Sequence, residues 1–141
     1  GMKAVQIFTA IPKFYGDKSS IREERVERFH HALEDTGMRP EHVIVHGAYV
    51  LNVASADESV WARAAAGLAK EMERSTTLGV GMVCFHPGSA KGDRDAAAER
   101  VAEAMTRALR SVEGPTRLLV ENCAGAGSTF TRNVSRRNHS K

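Results

Sequence analysis

The feature that most constrains this chain is a cadence. Apolar runs beginning near residues 43, 80 and 117 recur about every 37 residues, and each ends on one potential metal ligand. Val43-Ile44-Val45 stops at His46, Val80-Gly81-Met82-Val83-Cys84-Phe85 stops at His86, and Leu118-Leu119-Val120 stops at Glu121. Runs this short, bounded by glycine and proline, read as buried strands rather than helices. One helical pattern separates each pair, so the unit is a βα repeat, for which parallel strands joined by right-handed crossovers are expected. Near-continuous apolar strands predict a sheet covered by helices. An open doubly wound sheet and a βα barrel both satisfy this, and both place their sites at strand carboxyl ends.

The remaining elements fit the same scheme. Ala4 to Phe8 predicts a first strand, followed by a polar and aromatic loop to Ser19. Ser20 with Glu23 three residues later reads as a capping box, and Val26, Phe29 and Leu33 follow at helical spacing until Gly37. A second helix starts near Asp57, presents Val60, Ala64, Leu68 and Met72 on one face, and closes at Gly79. A third starts at Asp93 or Asp95, carries Val101, Met105 and Leu109 inward, and stops at Gly114-Pro115. From Thr131 to Lys141 the chain is polar and basic without apolar periodicity, which reads as an irregular tail.

Composition bounds the setting. A chain of 141 residues that is 42% hydrophobic can bury one real core. A net charge of +3 is compatible with a polyanionic partner but decides little. Two cysteines, Cys84 and Cys123, argue against a disulfide framework and make a reducing cytoplasm the expectation. No stretch approaches the roughly 20 apolar residues that span a bilayer. No apolar signal-peptide core opens the chain, and Gly1 before Met2 reads as a tag remnant or an arbitrary fragment start, outside the fold.

His46, His86 and Glu121 fall on successive strands at one edge of the predicted sheet, and two imidazoles with a carboxylate match zinc, iron or manganese ligand chemistry. The bland reading makes each an isolated loop residue; repetition at equivalent positions favours the metal. Tyr49, three residues after His46, is placed to stack on a base or to pack against its own loop. Cys84 reads as core, and His30 and His31 as part of a solvated helix face. His42 and His139 carry no assigned role. Gly125-Ala126-Gly127-Ser128 is a weak phosphate-cradle signal because no helix clearly follows it.

Three segments resemble the endonuclease IV family of apurinic/apyrimidinic-site repair nucleases. They are His46-Gly47-Ala48-Tyr49-Val50-Leu51-Asn52, Phe85-His86-Pro87-Gly88-Ser89, and Val120-Glu121-Asn122 followed by Ala124-Gly125-Ala126-Gly127-Ser128. The resemblance runs from about Met2 to Phe130. It implies an α/β fold of the (β/α)8 barrel type, here a partial barrel of about four parallel strands and three helices over residues 2–130, with 131–141 as a tail. It further implies a trinuclear zinc site, with His46 and His86 on one zinc and Glu121, a catalytic residue, bridging to a second. Tyr49 and Val50 would belong to a loop entering DNA at the lesion. Where the family carries an Asn-x-Arg pattern this chain has Ile11-Pro12-Lys13, so Lys13 would keep a phosphate contact without bidentate arginine recognition.

The implied activity is zinc-assisted hydrolysis of the phosphodiester 5′ to abasic sites in double-stranded DNA. A barrel takes about 250 residues, so a truncated, fragmentary or frame-shifted reading is expected, lacking the later ligands of the second and third metals. Open sheet edges then invite pairing with a second chain. Two other functions remain open: a sugar-phosphate isomerase or epimerase of the same barrel superfamily, and a non-catalytic remnant that binds metal or DNA.

Overall fold

The computed structural model describes residues 3–11, 13 and 18–122. The elements run β1 (Val5–Ile7), α1 (Glu23–Thr36), a 3-10 turn (Pro40–His42), β2 (Val43–His46), α2 (Glu58–Leu78), β3 (Met82–Phe85), α3 (Arg94–Arg110) and β4 (Arg117–Val120). The strands form one all-parallel sheet in the order β1-β2-β3-β4, so every joint is a crossover through a helix or a helix and turn.

Side-chain alternation divides the sheet into two unlike faces. Val43, Val45, Val83 and Phe85 point one way and are fully buried beneath Ala64, Leu68, Met72, Ala97, Val101 and Ala104 of the helices. Their neighbours Ile44, Met82 and Cys84 point the other way and stay partly exposed, with Gln6, Arg117 and Leu119 more exposed still. Among the described residues, helices therefore cover one face only. A doubly wound sheet would bury both, so four strands and three helices in this arrangement are part of a TIM barrel.

Four expectations change in detail. The Ser20–Glu23 capping box does not form: α1 begins at Glu23, flanked by Arg22 with no side-chain cap. Ile21 packs against the core and keeps the chain extended past Ser20, so the Arg22 carbonyl opens the helix by accepting from the N–H groups of Arg25 and Val26. β3 starts at Met82 rather than Val80, because the Val80 N–H turns back to the Ser75 carbonyl and completes the end of α2 behind Gly79, whose φ is 69°. α3 ends at Arg110, short of Gly114, and Leu109 is 46% exposed. The inward stripe of α3 is Ala97, Val101, Ala104 and Ala108, and Leu109 sits at its margin. Cys84 is half-buried on the uncovered sheet face, since alternation puts it opposite the helices.

A pair of charges that local patterning does not reveal ties the loop after β1 to α2. Glu71 and Arg74, both buried, bridge at 3.0 Å. Arg74 also donates to the Thr9 hydroxyl and the Lys18 carbonyl, and Thr9 donates to Glu71. Each member of the pair is thus hydrogen-bonded beyond the other, which is the condition under which buried charge is tolerated.

Asp57 caps α2 by accepting from the Val60 N–H at 3.0 Å, as its position before the apolar stripe predicts. That bond, with the Ser59 hydroxyl, holds the Asp57 carboxyl below its ordinary range. A depressed carboxylate pKa stabilises the fold above the unfolded value, and the contribution is lost as pH falls through the folded one. Asp57→Ala is expected to lower the melting temperature at neutral pH, with the deficit shrinking as thermal melts are repeated in increasingly acidic buffer.

Candidate metal centre

The uncovered face carries the site. Because β2, β3 and β4 pair in register, the residues that step off their carboxyl ends on that face are neighbours. These are His46, His86 and Glu121. One donor atom from each lies within 4.8 Å of the others. His46 Nε2 is 3.0 Å and His86 Nε2 3.6 Å from the same oxygen, Glu121 Oε2. His46 is almost fully buried, His86 is 29% exposed and Glu121 45% exposed, so the group opens toward solvent on the carboxylate side.

The hydrogen bonding of His46 is compatible with the donor set of a divalent metal. Its Nδ1 lies 2.8 Å from the Gly47 carbonyl while its Nε2 faces the Glu121 carboxylate. Both ring nitrogens thus face acceptors, yet a neutral imidazole has only one N–H. If Nδ1–H donates to Gly47, the Nε2 lone pair points at an anion, and a cation between them resolves the conflict. A backbone carbonyl that fixes the tautomer is the usual support of a metal-ligating histidine. Spans of 3.0 and 3.6 Å are compatible with donors that each sit about 2.0–2.2 Å from one ion. The residues fit such a group.

Aromatic rings wall the donors. Tyr49, 57% exposed, has its ring centre 5.2 Å from His46 and 6.2 Å from His86, nearly parallel to the latter. Phe8, at the carboxyl end of β1, lies 5.6 Å from both His46 and Tyr49. Phe8 was not singled out by sequence, although the same strand-end rule selects it. Phenylalanine is no metal ligand, so a pattern of ligands at strand ends does not reveal it. Cys84 completes the floor: its thiol lies 3.9 Å from Glu121 Oε2. Burial first, then the nearby Glu121 charge, pushes the Cys84 thiol up.

The other candidate residues lie around this core. Val50 is half-buried and packs against the hydrophobic core behind the Tyr49 loop. Lys13 is exposed in a turn after β1, outside the ligand cluster. His31 is exposed, while His30 is half-buried with its ring edge-on to Phe29. The glycine-rich segment at 125–128, Cys123 and the 131–141 tail lie outside the described residues.

The loops bearing the two histidines are locked together. The Ala54 N–H donates to the Pro87 carbonyl at 3.0 Å, and the Arg100 guanidinium donates twice to the Ala54 carbonyl. Gly88 has φ of 92°, and a Cβ there would meet Asn52 Oδ1 at 2.2 Å and Asn52 Cα at 2.8 Å. Gly88→Ala is expected to cost about 1–3 kcal/mol in urea unfolding, since both the backbone angle and the backbone contact resist it. It should weaken metal binding as well, because His86 lies two residues away.

Comparison with known proteins decides the lineage. Residues 1–137 match the family described as xylose isomerase-like TIM barrel. The chain belongs to that family. Similar proteins include some named endonuclease 4. The chain is 35% identical to "Endonuclease 4" of Thermus thermophilus over 90% of its own length and 44% of that protein. It is 28% identical to "Probable endonuclease 4" of Halothermothrix orenii, covering 96% of the chain and 48% of the relative. The crystal structure of endonuclease IV from Thermus thermophilus superposes with a TM-score of 0.76 at 32% identity, over 92% of this chain and 45% of that one. The chain thus spans just under half the length of these relatives and is an endonuclease IV-like partial barrel. Among the described residues no helix is long and apolar enough to cross a membrane.

Proposed function

We propose that this chain carries the first metal-binding portion of a nuclease that hydrolyses the phosphodiester 5′ to abasic sites in double-stranded DNA. The observation that supports it is the convergence of His46, His86 and Glu121 within 4.8 Å at strand ends, in a chain whose relatives are named endonuclease 4. His46 and His86 would hold one zinc through Nε2, with Glu121 shared toward a second. When bound, zinc supplies Lewis acidity toward a phosphate oxygen and acidifies water.

The chain's own residues have separable tasks in this reading. Gly47 holds the His46 tautomer through Nδ1, and Glu121 supplies the carboxylate that both imidazoles face. Tyr49 offers an exposed aromatic face beside the site, fit to occupy the space left by a missing base. Val50 braces that loop from the core side. Lys13 would contact the phosphate backbone, so affinity should fall as salt rises. Hydrolysis adds one water and leaves a 3′ hydroxyl on one fragment and a 5′ phosphate on the abasic sugar of the other.

Incubating the zinc-loaded chain at low salt with a duplex containing a single abasic site tests the proposal. Scission at the lesion with a 3′ hydroxyl terminus, abolished by chelation and absent on an intact duplex, is the expected result. A fully loaded protein that retards the duplex without cutting it would instead support a binding remnant. Turnover of a ketose sugar phosphate without cleavage would support the isomerase.

A further inference from the structure

We propose that Arg74, steadied by Glu71, is a positioning residue for DNA: its guanidinium holds both ends of the segment that leaves β1 beside the metal centre and carries Lys13. The inference rests on the proposed reading of the centre as one that takes abasic duplex DNA. It adds to that reading two residues of α2 that lie outside the ligand cluster.

One side chain makes the whole clasp. Arg74 Nε donates to the Thr9 hydroxyl at 3.1 Å, one terminal nitrogen donates to the Lys18 carbonyl at 2.8 Å, and the other pairs with Glu71 at 3.0 Å. Thr9 in turn donates to the second oxygen of Glu71. A guanidinium is a rigid fork, so it meets three partners together only where all three are held in place. The Arg74 and Glu71 side chains are only 5% and 3% exposed, and the fully buried Leu68 and Met72 seat the same helix in the core. The tie therefore runs from the core to both ends of the segment that brackets Lys13.

A buried ion pair is a poor source of stability by itself, because well-packed apolar residues in its place are often as stable or more so. What this pair supplies is direction. Thr9 follows Phe8, whose ring centre lies 5.6 Å from those of His46 and Tyr49, so holding Thr9 fixes where the segment departs relative to the metal donors. Holding Lys18 fixes where it returns. Lys13, between them, is exposed. A lysine is a point charge on a flexible stem, so the placement of its backbone decides which phosphate it meets. Arg74 thus acts on DNA through Lys13 rather than by contact.

A double-mutant cycle tests this, read as the anisotropy of a labelled duplex carrying one non-cleavable abasic analogue and titrated with the zinc-loaded chain across a salt series. Lys13→Ala should weaken binding roughly 5–10-fold at low salt and lower the slope of log affinity against log salt by about one. Arg74→Lys keeps a charge beside Glu71 but loses the fork, and should do the same. Adding Lys13→Ala to it should then change little, because the contact is already lost. Zinc content should stay at the wild-type value in every folded variant. Thr9→Val, which removes only the hydroxyl, repeats the cycle from the other end of the clasp and carries the test where circular dichroism shows Arg74→Lys unfolded. Losses that simply add overturn the proposal and leave Arg74 a role in stability alone. So does a salt slope indifferent to Lys13→Ala or to the clasp variants; in both cases the DNA reading stands. Loss of zinc from folded Arg74→Lys overturns it as well, by making the clasp a support of the ligands. A wild-type chain that holds zinc yet binds no abasic duplex sinks the DNA reading itself, and the positioning role with it.

Discussion

Glu121→Gln is expected to weaken zinc binding by at least about 100-fold while leaving the fold intact. Even residues that only orient a ligand are worth about 10–100-fold in metal affinity, and Glu121 presents the oxygen that both histidines face. The substitution keeps the shape and removes the anion, so it separates ligation from packing. Glu121 is 45% exposed, and its ion pairs with the histidines contribute little to stability in water. The urea midpoint of the metal-free protein should therefore move little. Competition titration with a chromophoric chelator reads the affinity. An unchanged zinc constant would remove Glu121 from the centre.

Phe85→Ala should come close to unfolding the chain. Phe85 is fully buried on the helix-covered face, and its Cβ lies 3.1 Å from where a side chain on Gly47 would begin. It thus packs directly beneath the loop that follows His46. Truncating such a residue costs about 3–5 kcal/mol, against total stabilities of about 5–15 kcal/mol for natural domains. A partial barrel, with one sheet face uncovered, has less buried surface to draw on than a closed one. Loss of a cooperative urea transition is the expected outcome. A cost below about 1 kcal/mol would mean that the core beneath the histidine loops is not packed as described.

The ligand cluster was legible because it depends on local signals. Three apolar runs, spaced by helices, put His46, His86 and Glu121 at equivalent positions, and parallel pairing in register brings equivalent positions together. The face on which Cys84 lies was not legible. Alternation places it opposite Phe85, but whether that face is covered depends on the rest of the barrel. The start of α1 departs from the Ser20 cap pattern because Ile21 packs against the core, a tertiary contact that a local cap motif does not encode. Leu109 lies outside the buried strip because the apolar face of a helix is wider in pattern than the strip its neighbours cover. Glu71 and Arg74 left no periodic trace, since their partners Thr9 and Lys18 lie more than fifty residues away.

The most direct test of the central claim is metal content. The chain would be loaded with excess zinc, desalted, and measured by plasma mass spectrometry beside Glu121→Gln and a His46→Ala variant. At least one zinc per wild-type chain, and far less in each variant, is the result this account predicts. Wild-type protein that is folded yet retains no zinc, or variants that retain as much as the wild type, would contradict a metal centre at His46, His86 and Glu121.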